Sequence, residues 1–265
     1  MIRRETHAPS GLASWLLISQ PEHARIAGEL AKHWVGPPAD PAPIAAELLA
    51  AVYHHDDGWR HWEQQPDVDH TTGRPLNFTE MPLAVALEIW QGSIDCCVAL
   101  GPLSGYVVSG HFSALLRHAN HWQRATPQIG SPAAQFLARQ DSLRARLLDE
   151  WVAGDPQHRS AKQAEQDKHQ LQFFDAFSLW LCTAERHAPD RLDLPGSKSL
   201  DLAPLETRAP LGSQQIAIAP WPFDVECLEL TASGRLVPQA RYDESKALAA
   251  APSQQVALDW RLVAR

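Results

Sequence analysis

Apolar residues recur every three to four positions along most of the chain as far as about His187, a spacing that predicts helices rather than strands. An apolar run over 9–19 reads as a strand or an irregular packing segment. Ser19-Gln20-Pro21-Glu22 then starts a helix, with Ser19 as N-cap, Pro21 in the first turn and Glu22 completing a capping box. It runs to about Trp34 and stops at Gly36-Pro37-Pro38. A second helix is expected from near Pro43 to about Trp59, followed by a polar loop over 60–79. Thr79 and Pro82 open a third, to about Leu100, which Gly101-Pro102 closes. Three more cover about Ser104–Gln123, Ser131-Pro132 to Val152, and Ser160 to about His187.

After Pro189 the pattern changes. Residues 190–215 are rich in Pro, Ser and Leu without a helical period. Ile216–Ala219, Val225–Leu230, Arg235–Val237 after a Ser233-Gly234 turn, and Gln255–Val263 read as strands. The expected fold is mainly α: a helical domain over 1–189 with a small β-rich appendage over 190–265 packed on it. The tail has too few large apolar side chains for a substantial core of its own.

Composition narrows the partners. With 45% hydrophobic and 20% charged residues the chain is globular. Its net charge is −8 and no Lys/Arg run exceeds a pair, so nucleic acid is not an expected partner. No apolar stretch approaches the ~20 residues of a membrane helix. Cys96, Cys97, Cys182 and Cys227 form no CxxC pair and are expected to pack as small hydrophobes in a reducing, cytoplasmic setting. Nothing in the pattern fixes the oligomeric state.

The count that changes the picture is 13 His. In Tyr53-His54-His55-Asp56-Asp57-Gly58-Trp59, a helix through Leu48 and Val52 carries His55, Asp56 and Trp59 on its apolar stripe, whereas His54 and Asp57 point elsewhere. A buried carboxylate is costly unless paired or bound to metal. On other helices His23 shares a face with Ile26, Ala27, Leu30 and Trp34, and Asp175 with Leu171, Phe174, Ser178, Leu179 and Cys182. His111 and His118 sit seven apart beside Val107, Leu115 and Trp122. Imidazoles and carboxylates from four helices are the ligands expected for Fe, Mn, Zn or a similar divalent ion.

The order His, His-Asp, Asp, with the dyad ending a helix before Gly58, resembles the HD-domain superfamily of metal-dependent hydrolases. The resemblance implies an HD-like helical bundle and a metal held by His23, His55, Asp56 and Asp175. His111 and His118 are similar to the extra histidines that hold a second metal in some HD proteins, although they lie closer together than is usual there. His121 or His169 could stand in for His118, or there is one metal only. More narrowly, HHDDGW, TGRPLNF, SGHFS and Trp-Pro-Phe near the C-terminus resemble the uncharacterised family called domain of unknown function 3891, which brings no activity with it.

On this reading the chain is a metal-dependent hydrolase of the phosphohydrolase type, acting on a small anionic molecule. Asp57, His54 or His121 (with His118 a further candidate) would move protons. Arg74, Thr72, Asn77 and Trp59, in or beside the 60–79 loop, would bind substrate. An HD-type di-iron oxygenase and a non-enzymatic metal- or ligand-binding protein remain as alternatives. No Gly-rich phosphate loop or G-x-S-x-G elbow is present.

Overall fold

The computed structural model describes residues 1–36, 44–118, 131–184, 190–198, 205–208 and 215–265. The strands are β1 (Ile2–His7), β2 (Ala13–Ile18), β3 (Asp190–Leu192), β4 (Leu205–Arg208), β5 (Gln215–Ala219), β6 (Cys227–Pro238) and β7 (Gln254–Ala264). The helices are α1 (Gln20–Lys32), α2 (Ala46–His54), the single turn α3 (Trp59–Trp62), α4 (Leu83–Leu100), α5 (Pro102–His118), α6 (Pro132–Gly154), α7 (Ala161–Thr183) and the short α8 (Ser245–Ala249). The expected second-helix start at Pro43, the fourth-helix end at Gln123, His121 and His187 lie outside the described residues.

The expectation of a mainly α bundle with a small appendage is overturned. The molecule is about 51% helical, and one seven-stranded mixed sheet takes strands from both ends of the chain. Its order is β1-β2-β6-β7-β5-β4-β3, antiparallel except between β5 and β7. Ser14 lies opposite Pro238 and Ile18 opposite Gly234, so the N-terminal hairpin is built into the sheet. β1 was hidden because IRRETH is polar for most of its length, as suits an edge strand. β6 runs straight through Ser233-Gly234 instead of turning there. A Cβ at Gly234 would come within 2.6 Å of Leu16 Cδ1, so the glycine serves close approach between β6 and β2.

One sheet face meets the helices. Leu16, Ile18, Leu228, Leu230, Trp260 and Leu262 join Ile26, Leu30, Val52, Phe174 and Phe177 in a single core. The opposite face gathers Leu17, Val237, Val68, Tyr242 and Leu248 into a smaller cluster, covered by α8 and part of the 60–79 loop. Ser19 caps α1 by accepting the Glu22 N–H at 3.1 Å. The Glu22 carboxylate turns outward to Arg25 and to the backbone N–H of Ser233 on β6, which ties α1 to the sheet.

Helix α5 runs through the middle of the helical layer, against α2, α4, α6 and α7. It is buried over most of its length, and its small residues Ser104, Gly105, Ser109, Gly110 and Ser113 allow the neighbours close. Contrary to the expectation that no apolar stretch approaches a membrane helix, α4 is long and apolar enough to cross a membrane by length and composition; its buried face packs on α5 and α2. Cys97 and Cys182 are core residues as expected. Cys96 is exposed, and Cys227 is half-buried with its sulfur accepting the Arg261 Nε–H.

Candidate metal centre

The dyad sits where α2 stops. The helix ends at His54, not at Trp59, and His55 to Gly58 form a tight turn into α3. Gly58 is needed for contact rather than conformation. Its φ of −61° is ordinary, but a Cβ would lie 2.2 Å from the Ile89 carbonyl oxygen of α4. Its N–H donates to Ser93 Oγ at 3.0 Å. The turn is thereby clamped between α2 and α4, with His55 and Asp56 directed into the core.

There they meet His23 from α1, Asp175 from α7 and His111 from α5. His23 Nε2 is 2.8 Å from Asp56 Oδ2 and 3.7 Å from Asp175 Oδ1. His55 Nε2 is 3.3 Å from Asp175 Oδ1 and 3.7 Å from Asp56 Oδ2. His111 Nε2 stands 4.0 Å from Asp175 Oδ2. The imidazoles meet edge to face, with centroids 5.3 Å apart for His23 and His55 and 5.7 Å for His55 and His111.

The outward ring nitrogens fix the tautomers. His55 Nδ1–H donates to the Val52 carbonyl at 2.7 Å. Ser178 donates its hydroxyl to the Asp175 carbonyl, so its oxygen accepts His23 Nδ1–H at 2.8 Å. In the neutral rings both Nε2 atoms then hold lone pairs facing carboxylate oxygens. His55 Nε2 is buried and makes no hydrogen bond. Lone pairs facing carboxylates are stable only with a proton or a cation among them. Histidines whose second N–H is anchored on a carbonyl or hydroxyl are the usual form of metal ligand. The donor set therefore fits a divalent ion, and among the described residues His23, His55 and Asp56 form the one group able to offer three ligand atoms together.

The electrostatics agree. Burial opposes a charge on His55, but Asp56 and Asp175 outweigh it and push the imidazole up to about 9. Burial likewise opposes ionised Asp175, yet His55, His111 and His23 bring it down to about 2. Asp56 is lowered, against its own burial, by His55 and His23. For His111 burial, helped by the neighbouring His55 and His23, outweighs Asp175 and Asp56 and takes the imidazole down to about 4, leaving it neutral. Two carboxylates are thus held ionised beside the imidazoles at the bottom of an apolar site.

The centre forms the floor of a cavity of about 610 Å³, walled by Trp59, Phe78, Trp90, Phe112, Leu115 and Leu179. Of the residues singled out in the sequence, His23, His55, Asp56, Asp175 and His111 come together, and Trp59 stands at the cavity wall. His118 is exposed and leaves α5 two turns beyond His111, about 10 Å along the helix, so it reaches the cavity edge and not the centre. His54 and Asp57 pair with each other at 2.8 Å on the outer side of the turn, where Asp57 also meets Arg60. Arg74 pairs with Glu80 at 3.0 Å, a carboxylate it shares with Arg3. Thr72 stays within its own turn, its N–H donating to Asp69, and Asn77 caps a 3-10 turn over Phe78–Glu80. Arg74, Thr72 and Asn77 thus build the loop, whereas its neighbours Phe78 and Thr79 reach the cavity. Sequence reasoning passed over Lys168 and Gln172, which line the cavity beside His169. Lys168 lies seven residues before Asp175 on one helix face, and that spacing was a usable signal.

A family model described as "Protein of unknown function (DUF3891)" matches residues 1–239. No curated protein matches, and no solved structure does.

Proposed function

The chain belongs to the DUF3891 family, whose description carries no activity, and we propose from the site itself that it is a metal-dependent hydrolase with an HD-type centre, acting on a small phosphorylated or otherwise anionic molecule. One observation carries this reading: the Nε2 atoms of His23 and His55, anchored through their Nδ1–H groups, face the carboxylates of Asp56 and Asp175 at the floor of an accessible cavity. The order His23, His55-Asp56, Asp175 along the chain supports the HD comparison. A divalent ion held by these four would supply Lewis-acid charge for a phosphoryl oxygen and lower the pKa of water.

The remaining work falls to the chain. Trp59, Trp90 and Phe112 exclude bulk water and so strengthen every charge interaction at the floor. His111, kept neutral by burial, presents a nitrogen able to accept a proton. His54 and Asp57, committed to each other and to Arg60, take no part in proton transfer.

The test is metal content together with turnover of phosphomonoesters in four variants. His55→Ala and Asp56→Ala are expected to lose stoichiometric metal and hydrolysis, whereas His54→Ala and Asp57→Ala keep both. Stoichiometric metal retained in His55→Ala would overturn the assignment. Turnover that requires oxygen and Fe(II) would turn the reading toward the oxygenase alternative.

A further inference from the structure

The cavity has a second polar pole. Asp175 marks the floor on α7, and Lys168, seven residues earlier, lies on the same side of that helix two turns away, about 10 Å along its axis. Gln172 and His169 line the stretch between. Lys168 is held in place from both ends. Its stem lies against Gly110 of α5, where a Cβ would come within 2.8 Å of Lys168 Cδ, and its ammonium pairs with Glu165.

That pairing does not cancel the charge. The Glu165 carboxylate is shared with Arg144 at 3.4 Å and stands 3.6 Å from His169 Nε2, so one anion serves two permanent cations. Lys168 nevertheless keeps only 12% of its side-chain surface exposed, against 42% for Glu165. The wall beside it is fitted closely: Gly196, at φ +86°, passes where a Cβ would lie 2.3 Å from the His169 carbonyl oxygen, a position open only to glycine. Facing that stretch of α7 the cavity wall is apolar and aromatic, with Trp90, Phe112 and Leu115 among its residues.

Resting on the hydrolase reading above, we infer that the substrate is an elongated molecule with an apolar or aromatic middle, whose scissile group meets the floor and whose second anionic group, a carboxylate or phosphate, is received by Lys168, two helical turns further along α7. Compact polar phosphates such as sugar phosphates leave the aromatic walls and the cationic pole unsatisfied and are poor substrates.

Two non-hydrolysable probes test this on the metal-supplemented full chain: biphenyl-4-phosphonate, and 4′-carboxybiphenyl-4-phosphonate, whose carboxylate stands about 10 Å from phosphorus, comparable with the two-turn rise from Lys168 to Asp175 along α7. Calorimetric titration is expected to show the carboxylated probe binding at least ten-fold more tightly to the native chain. Lys168→Met should abolish that gain while leaving biphenyl-4-phosphonate affinity within two-fold, and Lys168→Arg should keep it. Equal binding of both probes to the native chain, binding of neither, or a gain that survives in Lys168→Met overturns the inference. Elemental analysis of the same samples reads the centre separately. Full metal with no probe preference sinks this inference alone, and probe preference without metal sinks the hydrolase reading alone.

Discussion

Asp167 shows how sharply the interior of α7 discriminates among carboxylates. It is buried eight residues before Asp175, and among the described residues Gln163 alone donates to it, at 2.9 Å, with no histidine beside it. Burial therefore wins and lifts its carboxyl to about 6, with Gln163 opposing and the Glu47 charge adding to the rise. A carboxyl raised on folding holds its proton more tightly in the folded chain, so its penalty is absent below the unfolded value. The penalty grows as pH rises toward about 6 and is constant above. Asp167→Asn keeps the acceptor for Gln163 and should stabilise the protein at pH 7 on the order of 1–3 kcal/mol. Urea unfolding across the acid range should show that advantage closing below about pH 4; a gap independent of pH would disprove the cause. At this scale much of the centre was legible. The burial of His23, His55, Asp56, His111 and Asp175 follows from helical spacing, even though α2 ends before the dyad. The placing of Arg74, Thr72 and Asn77 was not, because a polar loop beside a site carries no periodic signal to say which residues turn inward.

The α2–α4 junction decides whether the dyad is presented at all. Gly58 lets the α4 backbone press against the turn that aims His55 and Asp56, and its nearest obstacles are backbone atoms that cannot swing aside. Gly58→Ala should cost about 1–3 kcal/mol through overpacking. Because the strain falls on the dyad, it should also weaken metal binding more than an equally destabilising change on α6 does. Paired thermal melts and metal titrations would check this, and unchanged metal affinity in a destabilised Gly58→Ala would place the strain elsewhere. Among the elements, α1, α4, α5, α6 and α7 were legible from their 3.6-residue period, and β5 and β7 from their apolar alternation. β3 and β4 were not, since each is short and gains its identity from its neighbours in the sheet.

The whole molecule gathers its five candidate ligands from three helices and the turn that follows α2, around one core shared with the sheet. An ion bound there favours the folded form by about 2.7 kcal/mol at a hundred times its Kd. Chelation is therefore expected to lower the melting temperature by several degrees, with restoration on adding back the ion; identical melts after verified removal would show that no ion supports the fold. The sheet was the least legible feature because its pairing joins segments from opposite ends of the chain, and no local pattern records a partner that far away. That same pairing sets an order of events during synthesis. The β1–β2 hairpin leaves the ribosome well before β6, the strand that covers its inner edge with Ser14 opposite Pro238. Until β6 arrives, the hairpin edge and the core-facing Leu16 and Ile18 stay open to other chains, so correct folding depends on keeping the nascent protein solitary until β6 has been made.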